Sequence, residues 1–211
     1  MVLNDYREEA DTVLKPLAQK MINFNPDTLS WIAFLGAVLA GASFYMARGP
    51  LFLLLGSFFI MMNAFFDAMD GRVAKLKGTA SLRGDFLDHT LDRYADIFIV
   101  GGIALGPLSR LPIGMMAIIG ILMTSYMGTQ AQAVGVKRNY GGVAGRADRL
   151  VLLILVPIVA APLAVAGYDP FSMAGIEFTL MEILMIWFAV AGNLTALHRG
   201  IMSWKALSDQ S

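Results

Sequence analysis

The chain has 211 residues, of which 57% are hydrophobic and 15% charged, with 16 basic and 16 acidic side chains and no cysteine. A soluble domain carries roughly a quarter charged residues, so the composition excludes an ordinary soluble globule and gives no reason to expect a nucleic-acid partner. The lack of cysteine excludes thiol chemistry and disulfides.

The first element predicted is residues 1–24. "LNDYREEADTVLKPLAQK" is charged and has no apolar core, so it does not read as a signal peptide. Tyr6, Ala10, Val13, Leu14, Leu17 and Met21 recur at three- and four-residue steps. That spacing predicts an amphipathic helix lying on the membrane surface, with Lys15 and Lys20 near the headgroups. The plainer alternative is a solvated helix packed on a neighbour. Four uncharged runs follow, Leu29–Ala47, Gly49–Phe66, Leu111–Val136 and Leu150–Tyr168, each near the roughly 20 residues that span a bilayer. Two further spans carry charge: one from about Gly84 to Leu105, and one from about Phe178 to Leu197 that contains Glu182. The fold expected is a single all-α integral membrane domain over 1–211, with six transmembrane helices forming a bundle over 28–205. An N-terminus in the cytoplasm puts fourteen of the sixteen Lys and Arg residues on that side, leaving Arg48 and Arg110 on the other. The positive-inside rule then predicts a multi-pass protein of the cytoplasmic membrane.

Where the second and third spans meet, the sequence reads "FFDAMDGRVAKLKGTASLRGDFLDHTLDRYAD" (65–96), with aspartates at 67, 70, 85, 88, 92 and 96. Asp67, Asp70, Gly71, Ala74 and Lys75 share one face of a helix, and so do Gly84, Asp88 and Asp92. "LKGTASLR" reads as a short loop folding the two helices against each other, so four carboxylates converge across one helix–helix contact. A charge at mid-membrane costs about 2.5–3.5 kcal/mol on insertion scales, and facing acids repel. Hard divalent cations relieve both costs, and an oxygen-only donor set suits Mg²⁺, Mn²⁺ or Ca²⁺. Pairing with Arg72, Lys75, Arg83 and Arg93 is the structural alternative. It leaves unexplained the small residues at 71, 74 and 84, which let a ligand approach the backbone. The orientation above opens this cluster to the cytoplasm.

The spacing Asp67-x2-Asp70-Gly71-x2-Ala74-Lys75-x8-Gly84-x3-Asp88-x3-Asp92 resembles the signature of the CDP-alcohol phosphotransferases. It departs from that signature at Lys75, where the family has arginine; lysine offers a point charge in place of a fork. The resemblance implies a six-helix enzyme, homodimeric, using two Mg²⁺ or Mn²⁺ ions per active site. Asp67, Asp70, Asp88 and Asp92 would hold the metals, and Asp92 would also act as general base. Gly71, Ala74, Lys75, Ser81 and Gly84 would line the CDP-lipid site. "NFNPDTLSW" (23–31) resembles the family's element at the entry of the first helix, which adds Asn25, Pro26, Asp27 and Thr28 to that site. Asp27 or Thr28 acting simply as a helix cap is the plain alternative. The donor implied is CDP-archaeol or CDP-diacylglycerol, and CMP is released.

A second cytoplasmic cluster, "TSYMGTQAQAVGVKRNYGGVAGRADRL" (124–150), supplies Lys137, Arg138, Arg146 and Arg149, with Arg199 near the last helix end. A neutral acceptor alcohol gives no use for these cations, whereas arginine grips a phosphate bidentately, so a phosphorylated polyol is expected at Arg146, Arg149, Arg199 and Lys137. Positive-inside flanking alone also accounts for their placement. The segment is similar to archaeal-type members that are archaetidylinositol phosphate synthases and to bacterial phosphatidylinositol phosphate synthases. In the latter "TSY" is usually followed by a lysine and an arginine, where this chain has Gly128 and Gln130. Inositol 1-phosphate is the acceptor expected, with glycerol 3-phosphate, as in phosphatidylglycerophosphate synthesis, the close rival. His89 and His198 are expected to be accessory. Intramembrane prenyltransferases keep their aspartate motifs far apart in sequence, unlike this chain. A divalent-cation channel or transporter needs polar residues continuing outward, and "VGGIALGPLS" and "LPIGMMAIIG" offer almost none.

Overall fold

A computed structural model describes residues 7–136, 145–173 and 175–208. Among the described residues seven helices run α1 (Arg7–Lys20), α2 (Pro26–Tyr45), α3 (Pro50–Lys77), α4 (Leu82–Leu105), α5 (Leu111–Ala133), α6 (Arg146–Val165) and α7 (Leu180–Ser208). Proline stands in the first turn of α2, α3 and α5, where its missing N–H costs nothing and its fixed φ starts the helix. Five of them, α2, α3, α5, α6 and α7, are long and apolar enough to cross a membrane. α4 has the length but carries acids through its first half.

α3 continues past its uncharged run to Lys77, as the shared helix face of Asp67, Asp70, Gly71, Ala74 and Lys75 predicted, so both acids belong to a helix of 28 residues. Two boundaries differ from expectation. α6 starts at Arg146 and α7 reaches Ser208. The described residues also depart from all-α: a two-stranded antiparallel hairpin, β1 (Phe171–Met173) and β2 (Ile176–Phe178), sits between α6 and α7. Gly175, at φ +78°, turns it.

The expected direct contact of the second and third spans is corrected. α2 packs on both α3 and α4, while α3 and α4 themselves have no extensive contact although a short loop joins them. α4 also packs on α5, α5 on α7, and α6 on both α3 and α7. Without a hydrophobic drive between helices in lipid, close association needs small residues and polar ties. The α2–α4 crossing has Gly41 against Gly102, and the α5–α7 crossing has Gly120 against Gly192. Asn63 Nδ2 donates to Ala33 O (2.8 Å), Thr124 Oγ1 to Gly192 O (2.8 Å) and Ser57 Oγ to Ile154 O (2.9 Å). Phe44, Ile60, Ile99, Ile103, Ile121, Met181, Met185 and Phe188 fill the core.

α1 is a helix as predicted and lies against α3: Ala18 is buried with Leu29, Met69 and Val73, and Leu14 and Met21 flank them. Glu182, the acid inside the last span, is neutralised. Arg110 binds it through its backbone N–H and Nε (both 2.8 Å) and Nη2 (3.0 Å), and packs over the Phe178 ring at 4.9 Å. The hydrogen bond to Glu182 raises the Arg110 guanidinium above its ordinary pKa.

Candidate active site

The site begins with how α3 stops. Gly78 adopts φ +67°, which only glycine takes without strain, and the Thr79 N–H closes on Ala74 O at 2.9 Å. After a short link, Ser81 caps α4 by accepting the Gly84 N–H at 3.2 Å. α3 and α4 are thus tied at one end, and α2 holds them apart. The acids converge across the resulting opening. Asp67, Asp70 and Asp88 each present an oxygen within 4.8 Å of the others. Metal–oxygen bonds of about 2.0–2.6 Å place opposing ligands about 4–5 Å apart, so the three fit one hard cation.

The opening is a cavity of about 370 Å³. Asn25, Pro26, Asp27, Gly71, Ala74, Lys75, Ser81 and Gly84, all expected at the CDP-lipid, line it together with Asp70 and Asp88. Thr28 does not; it is exposed in the first turn of α2. The cap of α2 is neither Asp27 nor Thr28 but Asn25, whose side chain accepts the Asp27 N–H at 3.0 Å. A Cβ added at Gly71 would meet nothing within 4 Å, and one at Gly84 only Ser81 Oγ at 3.5 Å. These glycines face space and not a neighbouring helix.

Sequence reasoning missed Ser30, which lies in the second turn of α2 and donates to Asp70 Oδ2 at 2.5 Å. The Gly71 N–H also bonds the Asp70 carboxylate. Nothing within the local spacing of the acids points to a serine forty residues earlier.

The arginines also lie differently from expectation. The Asp148 carboxylate accepts the Gly145 N–H at 3.2 Å and fixes the start of α6. Arg146 then reaches the acids directly, Nη1 to Asp67 Oδ2 at 2.8 Å and Nη2 to Asp92 Oδ1 at 2.6 Å. One turn on, buried Arg149 pairs with buried Asp96 at 3.0 Å. Arg199 is buried and donates to Thr124 O at 2.7 Å. Lys137 and Arg138 lie outside the described residues. Of the cations weighed as partners for the acids, Arg93 lies 3.5 Å from Asp92 and 4.0 Å from Asp96; the 2.6 and 2.8 Å pairs go to Arg146. His89 Nδ1 is 3.7 Å from Asp88 and 3.8 Å from Asp85, and His198 is exposed.

Comparison with known proteins bears on this arrangement. The family model for CDP-alcohol phosphatidyltransferase matches residues 23–195. The archaetidylinositol phosphate synthase of Methanothermobacter thermautotrophicus is 31% identical over 98% of this chain and 96% of its own. The phosphatidylinositol phosphate synthase of Cutibacterium acnes is 32% identical over 94% and 95%. Among solved structures, the Mycobacterium tuberculosis phosphatidylinositol phosphate synthase with CDP-DAG bound aligns over 92% of this chain and 94% of its own, with a TM-score of 0.70 and 21% identity. The same enzyme has also been solved in complex with manganese and citrate (TM-score 0.66, 24% identity, 90% and 88% covered).

Proposed function

We propose, on the premise that the chain belongs to the CDP-alcohol phosphatidyltransferase family, that it moves the lipid-phosphate group of a CDP-activated lipid onto inositol 1-phosphate and releases CMP. The observation that carries the reading is the glycine-walled cavity of about 370 Å³ bordered by Asp70 and Asp88. The two inositol-phosphate-lipid synthases that match nearly end to end support the acceptor.

Asp67, Asp70, Asp88 and Asp92 hold the divalent cations, two Mg²⁺ or Mn²⁺ ions, in this reading. Bound there, the ions supply charge neutralisation of the donor's diphosphate. The residues themselves do the rest. Gly71 and Gly84 let the diphosphate come up to the backbone of α3 and α4, and Lys75 adds a point charge at the rim. Asn25, Pro26 and Asp27 border the nucleotide. Asp92 takes the proton of the acceptor hydroxyl; the new bond forms between that oxygen and the lipid-side phosphorus, and the bond from that phosphorus to CMP breaks. Arg146 is assigned to the acceptor's phosphate, with Arg149 and Arg199, buried against Asp96 and Thr124 O, backing it from α6 and α7; Lys137 is assigned to the same phosphate from the sequence alone.

In the membrane we read α4 as the sixth span, since its 24 residues reach about 36 Å, and α1 as the interfacial helix. The distribution of basic residues supports a cytoplasmic opening in the cytoplasmic membrane. The enzyme is taken as a homodimer and the donor as CDP-archaeol or CDP-diacylglycerol.

The test is CMP release by the purified protein given either donor with Mg²⁺ and, in turn, inositol 1-phosphate or glycerol 3-phosphate. Release with the inositol ester alone is expected. Gly128 and Gln130, where inositol-type members have basic residues, favour glycerol 3-phosphate as the second reading, and release with that ester alone would establish it. Asp92→Asn is expected to lower turnover about 10²–10⁴-fold while CDP-lipid binding persists; undiminished turnover removes Asp92 from the base role.

A further inference from the structure

Arg146 sits where its charge has a rival. Its two terminal nitrogens grip Asp67 Oδ2 and Asp92 Oδ1, and Asp67 also belongs to the three-carboxylate group with Asp70 and Asp88. Beside this grip lies a small cavity of about 10 Å³ lined by Ser30, Asn63, Asp67, Asp88 and Asp92 among others, about the room one water-sized species needs. Asn63 is 2% exposed and spends its Nδ2 on Ala33 O. That bond fixes which end of the amide is oxygen, and Asn63 Oδ1 has no partner among the described residues. A buried acceptor beside three carboxylates complements a cation. Among the described residues two guanidinium groups reach these acids, Arg146 and, 3.5 Å from Asp92 but shared with Asp96 at 4.0 Å, Arg93, so Asp67, Asp88 and Asp92 are not balanced in full. Arg146 meanwhile keeps its Nε without a partner among the described residues, a donor in reserve.

We propose that Arg146 and a second divalent cation are alternative occupants of the Asp67–Asp92 pair, and that loading the second ion releases Arg146 to grip the acceptor's phosphate. This rests on the reading of the aspartates as metal ligands. The first ion, at Asp67, Asp70 and Asp88, binds whether or not Arg146 is present. The second must displace two charge-assisted hydrogen bonds, so it binds more weakly. Once displaced, the fork of Arg146 matches a phosphate as well as it matched the two carboxylates. Linkage makes the effect mutual: a phosphorylated acceptor that draws Arg146 away tightens the second ion by the same factor. The protein then assembles its full charge only when both substrates are in place.

The experiment is a Mn²⁺ titration of the full chain in detergent, with free Mn²⁺ read by electron paramagnetic resonance, and no turnover involved. The unaltered protein is expected to bind one ion tightly and a second more weakly. Arg146→Gln removes both bonds and is expected to tighten the second ion by at least about tenfold to hundredfold, the worth of a single charge-assisted bond. Arg146→Lys, which keeps the charge but cannot fork, is expected to fall between and serves alone if the glutamine variant does not fold. Identical ion number and affinity across the series overturns the proposal. Asp88→Asn separates the two layers. If it abolishes Mn²⁺ binding while the Arg146 variants change nothing, only this proposal falls; if it leaves Mn²⁺ binding intact, the metal reading falls and this proposal with it.

Discussion

Two pairs of glycines in this bundle answer to opposite demands. At the α2–α4 crossing a Cβ on Gly102 would run into the Gly41 carbonyl, and one on Gly41 into the Phe98 carbonyl. At the mouth of α3 and α4, Gly71 has nothing within 4 Å of its would-be Cβ, and Gly84 has only Ser81 Oγ. A helix-interior glycine costs about 1 kcal/mol against alanine. The first pair recovers that cost through backbone contact. Gly71 recovers nothing within the protein, so what it makes room for lies outside the protein. The same residue type marks packing in one place and a ligand in the other, and only the neighbouring atoms tell them apart.

The sharpest test of that difference is Gly102→Leu. A side chain forced into a backbone contact is expected to destabilise by more than the usual ~1–3 kcal/mol of overpacking, visible as loss of monodisperse protein in detergent; a folded, active variant breaks the packing half. Charges can be sorted the same way. Arg149–Asp96 is buried and paired, so Asp96→Asn is expected to cost about 3–5 kcal/mol, with Arg149→Met in the same chain recovering part of it in a thermal-melt cycle. Equal melting temperatures for the single variants and the unaltered protein would move this pair out of the framework. Gly71→Leu is expected to leave the melting temperature nearly unchanged and to weaken CDP-lipid binding about a hundredfold, measured by calorimetry. Loss of fold instead breaks the ligand half. The mildest is Lys75→Arg, which restores the family's residue at the cavity rim; donor affinity is expected to stay within a few-fold, with no change in the melting temperature.

The acids were legible in the chain because their relationship is local. Asp67, Asp70, Gly71 and Ala74 share a face through helical spacing alone, and a turn signal at Gly78 brings Gly84 and Asp88 round to meet them. Eight of the nine residues that the family resemblance put at the donor line the cavity, and five apolar helices were readable from hydropathy. The small β-hairpin was not, because so short a segment gives no apolar run to read.

Sequence by itself therefore determined the class of structure, the spacing of the carboxylates and the polarity of the site, since helix geometry converts residue number into position over a few turns. Tertiary structure decided which distant groups complete it: Ser30 on Asp70, Arg146 across Asp67 and Asp92, Asp96 on Arg149, and Arg110 on Glu182. Those partners lie 40 to 79 residues apart in the chain. No periodicity extends that far; which charge faces which is settled only when α2 wedges between α3 and α4 and α6 docks its first turn on α3.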